Sequence, residues 1–344
     1  MLFSLLLVAG CSSNETGRTD AAPVDAHDGA RDTGPDDVVV PADIIFGNPD
    51  AATTPDADPA TDASATDTGP DVVTVIGPHE GTVDRLRFAV YGDIRPPYPD
   101  QNSAYPQMVF GDVMQSIEES NVQFAIATGD YMNANFCASC VDTQLDYLTM
   151  AESRFSGHVF HSMGNHECAT VTAYNCDTED NTVNVRTFKS RMLPEYDHTW
   201  YDFRIHTSAG DAHFIATAPN AWNDTQAAWL TSVLAQPAAY TFVIAHEPPS
   251  DPGPGTNAIE SAMMLRTGGI SMRFYGHVHE YSRYGFNATV TGNAGAPLSG
   301  STYYGFVVVE QREDGNLVVN AYEASHPPIV RDSFVVQPDG MPGR

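Results

Sequence analysis

Positive charge is what this sequence has least of. Its 344 residues hold 16 Lys and Arg against 44 Asp and Glu, a formal net charge of −28, and Lys189 is the only lysine. Binding to a nucleic-acid backbone rests on Lys and Arg displacing counterions, so nucleic acid is not an expected partner. Long apolar runs are missing too. The one at the start, within MLFSLLLVAGC, is too short to span a bilayer and fits the core of a secretory signal. Neither a GxSxG elbow nor a P-loop run occurs, which removes the hydrolase and nucleotidase designs built on them. Cysteine is sparse, at five residues. Setting Cys11 aside, Cys137, Cys140, Cys168 and Cys176 form an even set, which in an exported chain implies two disulfides. Three connectivities are open, with the local pairs Cys137 to Cys140 and Cys168 to Cys176 preferred over a four-Cys zinc site.

The chain divides into three parts. In the first, residues 1–11, Val8, Ala9, Gly10 and Cys11 resemble the lipobox of bacterial lipoproteins, although no Lys or Arg precedes the apolar run. That resemblance implies lipidation at Cys11, membrane attachment through the lipid alone, and a place in the bacterial cell envelope. In the second, residues 12–82, DTGPD occurs at 32–36 and 67–71, and 15 acidic residues stand against two Arg between Ser12 and Glu80. Such a segment buries too little apolar surface to offset its ordering entropy, so it reads as a disordered acidic linker with a reach on the order of 45 Å. The third part, residues 83–344, is long enough for one domain with a sizeable core.

Within that domain, strand-like runs alternate with helix-like stretches. LRFAVYGD, VQFAIATGD, GHVFHSMGN, AHFIATAPN, YTFVIAHE and SMRFYGHVH read as buried strands. PQMVFGDVMQSIEES reads as a helix with Pro106 in its first turn, and NDTQAAWLTSVLAQ as one capped by Asn223 or Asp224. Near the end, two strand-like runs flank EDGN, a hairpin around an Asp-Gly turn. The pattern predicts an α/β domain with a mixed sheet.

Most of those strands end in groups able to bind hard or borderline metals: Asp93, Asp130, Asn165 with His166, His246, and His277 with His279. Ends of parallel strands are where open α/β sheets place their sites. If the GHVH stretch is extended, His277 and His279 face one way, and paired imidazoles suit transition metals. Carboxylates, imidazoles and an amide together suit two cations.

The order Gly92-Asp93, Gly129-Asp130, GNHE at 164–167, His246 in AHEPP, and GHVH at 276–279 resembles the calcineurin-like metallophosphoesterases, a family that includes the purple acid phosphatases. The resemblance implies a two-sheet β-sandwich flanked by helices and a dinuclear centre of iron, manganese or zinc that hydrolyses phosphate esters through a metal-bound hydroxide. It implies that Asp130 bridges, that Asp93 and His279 hold the first ion, and that Asn165, His246 and His277 hold the second. His166 then serves the leaving group, and Glu167 orients. His161 and His213, inside strand runs, read as structural.

Two positions depart from the family pattern. Many members have DxH at the first motif, and this chain has Arg95 there; the purple acid phosphatases have GDxxY, and this chain has Asn133, with Tyr131 two residues early. Arginine has no free lone pair and keeps its proton, so it cannot replace the His as a ligand. Its expected role is a fork of donors for phosphate oxygens. The alternative is a surface binding or adhesion protein on a catalytically impaired version of the fold. The cysteine-bearing segments 133–142 and 168–184 are the expected rim of the site.

Overall fold

The computed structural model describes residues 74–176 and 182–344. The signal-like run, Cys11 and the acidic stretch through residue 73 lie outside the described residues. The strands, in chain order, are β1 Val75–Ile76, β2 Glu80–Thr82, β3 Arg87–Tyr91, β4 Phe124–Ala127, β5 His158–His161, β6 Tyr201–Thr207, β7 Gly210–Ala216, β8 Tyr240–Ile244, β9 Met272–Tyr275, β10 Tyr281–Arg283, β11 Ala288–Thr291, β12 Gly305–Gln311, β13 Leu317–Glu323 and β14 Ile329–Val336. The α-helices are α1 Gln107–Glu119, α2 Ala138–Glu152, α3 Asn165–Cys168, α4 Val183–Met192, α5 Asp224–Leu234 and α6 Thr256–Met264. Among the described residues no helix is long and apolar enough to cross a membrane.

The strands form two mixed sheets, ordered β14-β13-β12-β3-β4-β5 and β1-β2-β6-β7-β8-β9-β11-β10. All six expected strands are present, parallel within the triplets β3-β4-β5 and β7-β8-β9. The Asp-Gly hairpin joins β12 to β13, with Gly315 at φ 82°, a left-handed turn position that costs glycine little. Asn223 caps α5, its side chain accepting from the Gln226 N–H.

A layer of phenylalanines joins the sheets. Phe88 and Phe124 are opposite one another in the first sheet, as are Phe203, Phe214 and Phe242 across the second. Phe88 meets Phe214 edge-on at 5.2 Å between ring centres, and Phe160 stacks on Phe203 at 3.6 Å. These rings are buried, each contributing about 1.5–3 kcal/mol. The layer also sets the level of the strands. Asp93, Asp130, Asn165, His246 and His277 all come three to six residues beyond a Phe of this layer, so one apolar rung brings five strand ends to a common height.

Two short strands precede residue 83: β1, Val75–Ile76, pairs antiparallel with β2, and β2 pairs parallel with β6, with Gly81 buried against the Ile205 side chain. Two expectations change. Pro106 is the N-cap residue of α1 and precedes its first turn. The GNHE motif does not continue β5; that strand stops at His161, and Asn165 to Cys168 make the single helical turn α3.

Candidate metal centre

The strand ends are turned, not extended. Asp93, Asp130 and His277 have left-handed backbones, with φ of 62°, 62° and 69°. For residues other than glycine this costs about 1–3 kcal/mol each, and it persists only where the surroundings enforce it. Here backbone hydrogen bonds between loops do so: the Asp93 N–H donates to Gly129 O at 3.0 Å, the Ile94 N–H to Asp130 O at 2.8 Å, and the Gly276 N–H to His246 O at 2.9 Å. The glycines of the motifs make room. A Cβ on Gly164 would lie 2.5 Å from Asp130 Oδ1, and one on Gly276 would lie 2.6 Å from Asp93 Oδ2.

The result is two clusters of donor atoms that share one carboxylate. Asp130, His246 and His277 form one and Asp93, Asp130 and His279 the other, with the donor atoms of each within 4.8 Å of one another. In the first of these, Asn165 Oδ1 lies 3.1 Å from His246 Nε2 and 3.0 Å from His277 Nδ1, and Asp130 Oδ1 lies 3.2 Å from His246 Nε2. His277 and His279 therefore do not point together as an extended backbone requires. The left-handed turn at His277 divides them, one imidazole to each cluster.

Neighbours fix the imidazole tautomers. His246 Nδ1 is 2.8 Å from Thr128 O, a carbonyl that can only accept, so Nδ1 carries a proton and Nε2 is the nitrogen turned to the cluster. His279 Nδ1 is 2.8 Å from Pro297 O, with the same consequence. His277 Nε2 is 3.2 Å from Asp251 Oδ2, which leaves Nδ1 for Asn165. Glu167 orients the backbone, as expected: Oε2 accepts from the N–H groups of Asp130 and Gly164 at 2.8 and 2.7 Å, and Oε1 from Tyr131 at 2.8 Å.

Charge in the site is unbalanced. Burial pushes the Asp93 carboxyl up to about 8, with the charge of Asp130 adding to the shift against the pull of His246. Burial likewise raises Glu167 and Glu247 to about 7 each. Burial opposes ionisation of Asp130 too, yet His246 and His166 hold it well below the usual carboxylate range. A buried group of carboxylates that competes for protons in this way is a donor set suited to cations. Asp130, Asn165, His246 and His277 fit one: oxygen and imidazole donors converge, and Arg95 touches the set only at Asp130 Oδ2, the oxygen turned away from His246. Asp93, Asp130 and His279 supply a second donor set, but the guanidinium of Arg95 lies against it.

His166 is buried above Asp130, its Nε2 3.8 Å from Asp130 Oδ2, and its Nδ1 has no partner among the described residues. Burial pushes its imidazole down to about 3, so it is neutral at ordinary pH. Tyr131 is structural, its hydroxyl donating to Ser162 O at 2.8 Å. His161 and His213 are structural as well, lying 2.9 Å from Glu152 Oε1 and 2.8 Å from Asp202 Oδ2. Both local disulfides form, Cys137–Cys140 and Cys168–Cys176, which overturns the four-Cys zinc alternative because no thiolate is left to ligate.

A calcineurin-like phosphoesterase family model matches residues 86–281, a span that contains every donor of both clusters. The chain belongs to that family. Two solved structures share its fold. One is a purple acid phosphatase from yellow lupin (Lupinus luteus) seeds, 15% identical with a TM-score of 0.50, the match covering 73% of this chain and 53% of that one. The other is a dimetal phosphatase from Danio rerio, 13% identical with a TM-score of 0.50, the match covering 74% of this chain and 100% of that one. This chain thus spans about half the length of the lupin enzyme. No curated protein matches it by sequence.

Several residues that shape the site of this phosphoesterase escaped the sequence reading. The Thr128 and Pro297 carbonyls are backbone atoms with no sequence signal. Asp251 lies in an ordinary turn-like run. Glu247 had a signal, since it follows His246 in AHEPP; its Oε1 accepts from Asn220 Nδ2 at 2.8 Å.

Proposed function

We propose that this phosphoesterase hydrolyses phosphate esters outside the cytoplasm with Asp130, Asn165, His246 and His277 holding a catalytic cation. The observation that carries the reading is the pair of donor clusters sharing Asp130 at the ends of parallel strands. When bound, a cation there supplies Lewis acidity, acidifying water and polarising a phosphoryl oxygen. The chain's own residues do the rest. Thr128 O and Asp251 present the His246 and His277 lone pairs; Glu167 fixes the Asp130 backbone; His166 offers an N–H to the leaving oxygen. Arg95, side chain 16% exposed, supplies donors at the mouth of the same space. The two disulfides support an oxidising compartment. The binding-protein alternative gains no observation of its own.

The test is hydrolysis of aryl and bis-aryl phosphates by the purified protein supplied with manganese, iron or zinc, which also separates monoesters from diesters. Turnover that a chelator abolishes and metal restores is the expected result. No turnover with any of the three metals would overturn the reading.

A further inference from the structure

Arg95 follows Asp93 by two residues, at the position where the family's first motif often carries a metal-binding His. Its side chain neither leaves the site nor merely borders it. Nε lies 3.4 Å from Asp130 Oδ2, Nη2 lies 3.2 Å from His279 Nε2, and Nη1 lies 3.4 Å from Pro96 O. The His279 contact has one reading. Pro297 O takes the Nδ1 proton, so Nε2 holds a lone pair, and a guanidinium can only donate to it. The lone pair that would bind a cation therefore accepts from Arg95. The same guanidinium faces the second oxygen of Asp130, while the first oxygen faces His246 in the other cluster. Asp93 completes the surroundings, its Oδ1 3.6 Å from His279 Nε2.

Three groups that could hold an ion thus surround a permanent positive charge. An entering cation would have to displace a guanidinium that cannot lose its proton. The other cluster meets no such obstacle, because His246 Nε2 and His277 Nδ1 face the Asn165 and Asp130 oxygens and neither nitrogen meets an arginine. We propose that the Arg95 guanidinium takes the first cation position, so that the chain holds one resident metal, at Asp130, Asn165, His246 and His277, and Arg95 supplies the second positive charge. A fixed fork of N–H donors in that place also suits two oxygens of a phosphoryl group. The inference rests on the phosphoesterase reading for its chemistry and on the distances for its occupancy.

The test counts and inspects the metal apart from turnover. The full-length protein is stripped with chelator, reloaded with Mn²⁺, desalted and analysed for manganese per chain, and its electron paramagnetic resonance spectrum is recorded. Wild type is expected to retain one equivalent with an uncoupled six-line signal. Arg95→His, which exchanges the blocking cation for a ligand, is expected to retain two equivalents with an exchange-coupled spectrum. Two retained equivalents or a coupled signal in wild type would overturn the proposal, and so would zero equivalents. If Arg95→His fails to fold, as circular dichroism would show, the wild-type count decides alone. One equivalent without hydrolysis of any aryl phosphate would sustain the occupancy and sink the functional reading, so the two failures are distinguishable.

Discussion

The two donor clusters are built by the same means and reach different ends. Each takes residues from loops that follow parallel strands, each has a left-handed residue, Asp93 or His277, and each has an imidazole whose tautomer is set by a carbonyl. They share Asp130. They differ by one side chain: the Asp93 and His279 cluster contains Arg95, and the Asn165, His246 and His277 cluster does not. Folding alone thus brings together two sets of oxygen and imidazole donors around one shared carboxylate, and a single arginine decides which of them is left for an external cation.

The largest test of that comparison removes what the clusters share. Asp130→Asn should cost kcat/KM on the order of 10⁴-fold, since loss of even an outer partner of a metal site costs roughly 10- to 100-fold and this carboxylate serves both clusters. Metal content should fall with it while the circular dichroism spectrum stays native. A variant that keeps its metal would show that the clusters do not depend on one carboxylate. Next, His166→Asn should lower kcat roughly 100-fold, within the usual range for a proton or hydrogen-bond donor, with metal content unchanged. Loss of metal in that variant would make His166 a ligand and break the four-donor description.

Much of this arrangement was legible in the sequence because it depends on local composition. Six apolar runs gave six strands, and the polar residues ending five of those runs gave the donors. What could not be read was conformation at the ends. An extended reading of GHVH points His277 and His279 together, but the strand stops at Tyr275 and the chain turns left-handed. An extended reading of GDIR likewise places Arg95 beside Asp93 without showing that it reaches Asp130 and His279. Elements at or near the sheet edges, such as β2 and β14, were missed for related reasons: β2 is held by pairing with β6, which is distant in sequence, and β14 is mostly exposed and carries no buried apolar run.

The comparison sharpens when one imidazole is removed from each cluster. His246→Ala should lose at least about 100-fold in metal affinity, because it deletes a donor and leaves Asp130 and Asn165 without their shared partner. His279→Ala should change metal affinity little and lower turnover roughly 10-fold, because it removes only an acceptor that holds the Arg95 guanidinium. Titration of both variants with Mn²⁺ by calorimetry checks this. Equal losses of affinity would mean that both imidazoles bind metal and that the clusters are equivalent.

The smallest expected effects separate the two disulfides, which lie on opposite sides of the same division. Cys168–Cys176 closes the loop after α3, the turn that carries Asn165, and the Cys176 N–H donates to Asn220 O at 2.6 Å, whose side chain in turn donates to Glu247 beside His246. Cys137–Cys140 lies at the start of α2, beyond Asn133, whose amide donates to Pro96 O on the Arg95 side. Chain entropy alone makes the first worth roughly 2.5 kcal/mol and the second roughly 1.6 kcal/mol, since their sequence separations are 8 and 3 residues. Denaturant unfolding of the two Cys→Ser pairs should therefore give similar losses. Metal binding should not. Replacing Cys168 and Cys176 loosens the loops bearing Asn165 and His246 and should weaken Mn²⁺ affinity several-fold, whereas replacing Cys137 and Cys140 should leave it unchanged. If the second pair weakened metal binding as much as the first, the Arg95 side would be holding metal after all.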